Sequence, residues 1–303
     1  MANADRTVPL IPRRRLVGLS FGGLTSARRG PGSDVAGSRP YRPGDDVDTI
    51  DWNASARLSS ARGTDEFVVR EKFAEEAPRV VVVADRRPEM DVFPSWLPWL
   101  SKPEAMAHAR DVLFDAAIAS RGISGYLDFA DGEPFWRPPR TQQDTSDVAE
   151  RTSFGAPKDT LALACEHLVE HRRALPSGSF VFVLSDFLDP PPDGAWTRLL
   201  QQRWDVVPVV IQDPVWEQNF PPIGGVVVPF WDPRTRRVMP VRLTAAEAAA
   251  RSDQNQERFT DLLGSLRAYD LEPVVLASDR RDEIFTSFLE WAELRRFWRG
   301  RTW

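Results

Sequence analysis

Arg79-Val80-Val81-Val82-Val83-Ala84-Asp85 is an unbroken β-branched run that ends in a carboxylate. Apolar side chains at every position, without alternation, predict a strand covered on both faces, as in the middle of a parallel sheet. Similar runs recur at Ile123 to Phe129, Ser179 to Asp186, Asp205 to Gln212 and Glu272 to Ser278. Between them, helical stretches are expected at 103–120, 158–174, 195–203, 244–268 and 280–298. Strands alternating with helices imply βαβ units, so the fold class is α/β with a doubly wound, mostly parallel sheet. Val226 to Leu243, with Asp232-Pro233-Arg234 between two apolar runs, reads as a hairpin inserted on the sheet edge. Pro78 punctuates the entry to the valine run, which divides the chain into an N-terminal arm, 1–77, and an α/β domain, 78–303. Within the arm, residues 1–38 read as extended or partly disordered, and Glu66 to Phe73 as a strand or hairpin.

A chain of 303 residues with 42% hydrophobic residues can bury a sizeable core. Its net charge of −5 and pI near 5.4 argue against a generic nucleic-acid binder. Two basic patches stand out locally: Arg13, Arg14 and Arg15, and the tail in which Arg295, Arg296, Arg299 and Arg301 interleave with Phe297, Trp298 and Trp303. Cys165 is the single cysteine, so neither an internal disulfide nor a cysteine zinc cluster is expected. With no apolar run of membrane-spanning length and no signal-peptide pattern, a cytoplasmic protein without membrane insertion is expected.

The densest charge lies ahead of the domain, in Arg39-Pro40-Tyr41-Arg42-Pro43-Gly44-Asp45-Asp46-Val47-Asp48-Thr49-Ile50-Asp51-Trp52-Asn53-Ala54-Ser55-Ala56-Arg57. Four aspartates this close repel unless cations sit among them. The plain reading is an Arg/Asp latch pinning an irregular segment to the domain; the spacing lacks the ligand ladder and closing glutamate of an EF-hand. Trp52 and Arg57 are expected to anchor the arm by aromatic burial and charge-assisted hydrogen bonds. The run resembles the signature of the bacterial family known as domain of unknown function 58, through Arg39, Tyr41, Gly44, Asp45, Asp46, Ile50, Asp51, Trp52, Ala56 and Arg57. Asp48 stands where that family usually has arginine. The resemblance implies a von Willebrand factor A-like domain after the signature, and a MoxR-type AAA+ ATPase as partner.

By the same resemblance, Asp85 is the first aspartate of a metal-ion-dependent adhesion site, Asp186 its later aspartate and Thr160 its loop threonine. The two serines of that motif are replaced by Arg87 and Glu89. A guanidinium only donates hydrogen bonds and repels a cation, so a metal-free remnant is expected, with Arg87 between the aspartates. Met90 to Leu100 is a proline-bounded loop whose Trp96 and Trp99 are candidate partner anchors, or else a lid over the sheet.

His167-Leu168-Val169-Glu170-His171 matches the H-x-x-E-H pattern of inverted zinc peptidases, with His108 the only other histidine. The stripe Leu161, Cys165, Leu168 and Leu175 forms the core face of that helix, which leaves the histidines flanking it on a solvated side. The sequence contains no phosphate loop, dinucleotide fingerprint or nucleophile elbow. The expectation is a non-enzymatic adaptor without cofactor or nucleic acid, acting with an AAA+ ATPase or its client. The alternatives are a metal-dependent hydrolase on Asp85 and Asp186 or on the His167/His171 helix, and nucleic-acid binding through the basic tail.

Overall fold

The computed structural model describes residues 7–13, 35–41, 50–63, 67–72, 77–93, 97–140 and 146–299. In chain order the arm contributes β1 (Val35–Pro40), α1 (Trp52–Arg62) and β2 (Val68–Lys72). The domain follows with β3 (Arg79–Ala84), α2 (Lys102–Ala119), β4 (Ile123–Asp128), β5 (Phe135–Arg137), α3 (Ser146–Ala149), α4 (Thr160–Glu170), β6 (Phe180–Ser185), α5 (Asp193–Gln201) and β7 (Asp205–Ile211). It closes with β8 (Val227–Asp232), β9 (Arg237–Arg242), α6 (Ala245–Ala268), β10 (Val274–Leu276) and α7 (Arg281–Arg299).

The main sheet has six strands in the order β10-β7-β6-β3-β4-β5, parallel except for β5. The valine run is thus flanked on both sides, pairing β4 and β6. Alternate side chains then feed two cores. Val80, Val82, Phe180, Phe182, Val207 and Val209 face the layer of α2 and α7, where Leu113, Phe288 and Trp291 are buried. Val81, Val83, Val181, Val183 and Val206 face the other layer, with Leu168 of α4, Trp196 of α5 and Leu266 of α6. Chain direction reverses between β3, which leads through α2 to β4, and β6, which leads through α5 to β7 on the other side. The carboxyl ends of β3 and β6 therefore border the crevice where doubly wound sheets hold their functional groups.

Three expectations change. First, residues 7–13 have no regular secondary structure, and they contribute to the domain core: Val8, Leu10 and Ile11 are buried with the α2/α7 layer. Second, the hairpin is not on the edge of the main sheet; β8 and β9 form a two-stranded sheet of their own. Pro229 pairs with Pro240 in its register. Neither proline can donate across the pair, so their nitrogens face the two outer edges and remove a donor that ladder extension would need. Third, the signature run is only partly irregular. Asp51 caps α1, its Oδ1 accepting from the Ala54 N–H at 3.0 Å, and Gly63 ends the helix in the left-handed region at φ 66°.

Trp52, at the first position of α1, is 59% exposed, and Arg57 is exposed as well, so neither pins the arm to the domain by burial. The reason is local: among the described side chains of α1 only Ser55 is buried, its Oγ accepting from the Val68 N–H at 2.8 Å and donating to Asp51 O at 2.7 Å. The helix thus turns a small polar face to β2 and projects its aromatic ring outward. Trp52 meets Phe67 edge-on at 5.9 Å between centroids, and Tyr41 meets the same ring at 6.4 Å.

The N-terminal strap is closed against α7 by a buried ion pair. Arg295 donates to both oxygens of Asp205 at 2.9 Å, to Ile11 O at 2.9 Å and to Glu272 at 2.5 Å, and lies over the Trp291 ring at 4.2 Å. The Arg13 N–H adds a bond to Asp205 at 2.8 Å. Arg295 was counted with the basic tail in sequence, yet it is a structural residue with no charge to offer a ligand. Arg295→Ala should lower unfolding free energy by about 3 to 5 kcal/mol, since it strands the Asp205 carboxylate in the interior. Urea denaturation measures it, and a loss below about 1 kcal/mol would mean that water reaches Asp205.

Candidate functional site: a closed ion cluster beside an apolar groove

Asp85 and Asp186 directly follow β3 and β6 and are fully buried at the switch-point crevice. Like charges there would repel strongly at the low dielectric of the interior. Arg87 lies between them: its Nε is 3.0 Å from both Asp85 oxygens, and its Nη2 donates to Asp85 Oδ2 at 2.6 Å and Asp186 Oδ1 at 3.1 Å. Lys102, the first residue of α2, reaches Asp186 Oδ2 at 2.8 Å from the other side. The remaining acceptor positions are occupied too. Ser185 Oγ donates to Asp85 Oδ2 at 2.7 Å, the Arg87 N–H to Asp85 Oδ1 at 3.0 Å, and the Leu188 N–H to Asp186 Oδ1 at 3.0 Å.

Lys102 is only 1% exposed. Its Nζ also contacts Glu217 Oε1 at 2.5 Å and Glu89 O at 3.3 Å, which uses all three donors. Burial alone would depress its pKa, but the charges of Asp186 and Glu217 outweigh that and hold it above the ordinary lysine value. Arg87 follows the same logic: burial opposes its charge most strongly, but the Asp85 hydrogen bond together with the charges of Asp85, Asp186 and Glu89 holds its pKa above the ordinary value. Burial pushes the Glu217 carboxyl up, against the pull of Lys102. The cluster holds three carboxylates and two cations, and its residual negative charge is met by N–H donors, including Asp213 N to Glu217 Oε2 at 2.9 Å.

Of the residues singled out in sequence, Asp85, Arg87 and Asp186 come together. Glu89 does not join them: its carboxylate turns outward and pairs with Arg234 of the β8–β9 turn, bonding Nη2 at 3.0 Å. Thr160 is buried at the start of α4, while the partners of the two aspartates are Arg87, Ser185 and Lys102. Arg39 pairs with Val69 in the β1–β2 register, whereas Gly44, Asp45, Asp46 and Trp96 lie outside the described residues.

Lys102 and Glu217 were missed. A usable signal was present, because the sequence has only three lysines among 39 basic residues, and Lys102 opens a helix as Ser-Lys-Pro next to the aromatic loop. An arginine-rich chain that keeps a lysine at such a place uses its compact point charge, which fits a gap too narrow for a guanidinium.

Beside the cluster an apolar groove of about 1190 Å³ opens between the loop after β3, the β8–β9 hairpin and α6. Trp99 packs edge-on against Trp216 at 5.2 Å and against Phe93 at 5.6 Å, and Phe230 of the hairpin approaches Phe220 and Trp216, both at 6.4 Å. The described part of the aromatic loop therefore forms one wall of a groove. Trp231 remains 50% exposed at its rim.

The His167/His171 helix is organised differently from a metal centre. The two rings stack at 4.1 Å and 21°, and His171 Nδ1 bonds His167 O at 2.9 Å. Among the described residues no group of three or more His, Cys, Asp or Glu is arranged to hold a metal, and no helix is long and apolar enough to cross a membrane.

Residues 37–260, which include the signature run and every residue of the ion cluster, match the family described as proteins of unknown function DUF58. The chain belongs to the DUF58 family. Uncharacterized proteins of Mycobacterium bovis and Mycobacterium tuberculosis are 28% identical over 244 residues, covering 75% of this chain and 70% of theirs. Among solved structures, the conserved hypothetical protein BatB of Bacteroides thetaiotaomicron aligns with TM-score 0.38 at 15% identity, over 72% of this chain and 100% of that one. An aerotolerance-related membrane protein of Bacteroides fragilis, carrying mutations to serines, aligns with TM-score 0.34 at 15% identity, over 63% of this chain and 100% of its own.

Two outcomes follow from the saturated carboxylates of this DUF58 chain. Millimolar Mg²⁺ or Mn²⁺ should leave the melting temperature unchanged, because a cation would have to expel Arg87; an upward shift in calorimetry would show native-state binding. Lys102→Met should remove about 3 to 5 kcal/mol of stability by leaving Asp186 and Glu217 uncompensated. The pH dependence carries a sign as well. With its folded pKa raised, Lys102 stabilises fully below the unfolded value of about 10.4 and loses that contribution as pH climbs through the folded value. Tyr126, pushed up to about 12 chiefly by burial, adds to the same alkaline loss. The methionine variant should therefore show a shallower fall in stability above about pH 10 than the wild type in urea melts, and an unchanged slope would count against the charge assignment.

Proposed function

We propose that this chain is a non-enzymatic adaptor: a von Willebrand factor A-like domain whose metal position has been taken over by Arg87, preceded by the signature arm. The observation that carries the reading is the apolar groove at the carboxyl edge of the sheet, placed beside carboxylates that are paired with Arg87 and Lys102. Aromatic anchors set in a groove, with indole at the rim, are what protein recognition uses, since they add contact area for little loss of rotamer freedom. The family resemblance supplies the partner, a MoxR-type AAA+ ATPase or that ATPase's client. The exposed Trp52–Phe67 pair on the arm offers a second contact surface. A reducing cytoplasmic setting suits Cys165, which is buried and pushed up to about 12 by that burial, far from thiolate chemistry.

Co-elution of the purified chain with a MoxR-type ATPase, without turnover of peptides or nucleotides by the chain alone, is the expected result. Trp231→Ala and Trp99→Ala should each weaken that complex by about 2 kcal/mol. Trp231→Ala, an exposed substitution, should shift stability by no more than about 0.5 kcal/mol. Normal binding by both variants would remove the groove from the interface and turn attention to the arm.

A further inference from the structure

A second cleft, of about 530 Å³, lies at the opposite end of the sheet. It is lined by Arg79, Trp136, Arg140, Glu170, His171 and Arg173, with Pro138, Pro139 and Ala174 between them. Arg79 begins β3 and Asp85 follows its end, so the length of that strand, about 20 Å at 3.3 Å per residue, separates this cleft from the ion cluster. Three guanidiniums converge here against the single carboxylate of Glu170, in a chain whose net charge is −5. Elsewhere Arg87 is matched to Asp85 and Asp186 and Arg295 to Asp205 and Glu272, while the buried Arg86 is held by the Tyr126 hydroxyl and the Phe154 ring. Arg140 and Arg173 have no ion pair among the described residues, and Arg79 is tied only to a carbonyl, Nη1 to Ala174 O at 3.1 Å. A concave site that gathers uncompensated like charge raises the local concentration of anions.

The walls are built rather than loose. Trp136 stands in β5, its ring edge-on to His167 at 5.7 Å and tilted against His171 at 6.3 Å, and those two imidazoles stack on each other. Behind the proline wall β4 carries Gly125, where an added Cβ would meet Arg137 O at 2.7 Å and Pro139 Cδ at 2.8 Å. The segment carrying Pro139 and Arg140 is therefore seated directly on the β4 backbone, and the cleft keeps its shape.

We propose that this cleft binds a small aromatic phosphate of the mononucleotide class. Guanidinium forks match phosphate oxygens in paired, charge-assisted hydrogen bonds. The half-buried Trp136 ring offers a face on which a planar base can stack. The volume falls in the range of small-molecule sites, and the net negative charge of the chain repels a long polyanion beyond the patch itself.

Calorimetric titration of the full chain at low salt, with adenosine diphosphate and inorganic pyrophosphate as probes, tests this. The nucleotide should bind about tenfold more tightly than pyrophosphate, which has no ring to stack, and Trp136→Leu should abolish that difference. Arg140→Gln combined with Arg173→Gln, both exposed and so without effect on melting temperature, should weaken the nucleotide about tenfold or more. Absence of binding by either probe, nucleotide binding unchanged in the double variant, or equal affinity for the two probes would overturn the proposal. Tighter binding of a single-stranded oligonucleotide than of the mononucleotide would overturn it in favour of a polymer. Because the site is separate from the groove, none of these outcomes depends on the adaptor reading.

Discussion

Two aspartates released by neighbouring strands into one crevice would drive the carboxyl ends of β3 and β6 apart, and the architecture depends on the cations placed between them. Arg87 arrives from the same turn as Asp85, but Lys102 comes from the first residue of α2 and Glu217 from the loop after β7. The cluster therefore ties together three connections that share no local sequence. Its net contribution to stability is modest, because desolvating five charges offsets much of their attraction. Its larger effect is positional. Through Glu89 O it fixes the turn whose carboxylate holds Arg234 of the hairpin, and through Glu217 it fixes the segment that sets Trp216 against Trp99. The groove walls inherit their placement from these bonds.

The opposite end of the sheet is closed by different means. There Arg295 holds Asp205, Glu272 and the backbone of Ile11, joining the amino-terminal strap, the start of β7 and the last helix. Both ends rest on a buried arginine paired with aspartate, yet only the carboxyl end is left with an open apolar surface. The amino end has instead a cleft where Arg140 and Arg173 have no ion pair among the described residues and Arg79 bonds a carbonyl. The asymmetry separates two chemistries by the length of a strand: side-chain packing at one edge, anion recognition at the other.

The hairpin shows how local composition controls interaction mode. A detached two-stranded sheet offers edges that invite a third strand. Pro229 opposite Pro240 removes an outward donor from each edge, and the side chains of Val227, Trp231 and Val238 are left exposed.

Much of this fold is legible in the amino-acid sequence, because strand runs, helix periods and their alternation are short-range patterns. The valine run at 79–85, the recurrent strands and the helices between them follow from side-chain period alone, and Arg87 two residues after Asp85 signals a carboxylate that is already paired. What the sequence leaves open are partners brought together by topology. Lys102 meets Asp186 across 84 positions, and Arg295 meets Asp205 across 90, so each reads as an ordinary surface charge until the crossovers place it. Trp52 errs the other way: an aromatic residue in a dense motif suggests burial, but the helix phase set by Asp51 and Ser55 turns it to solvent. Burial is a property of the face an element presents, and that face is decided only when the elements pack.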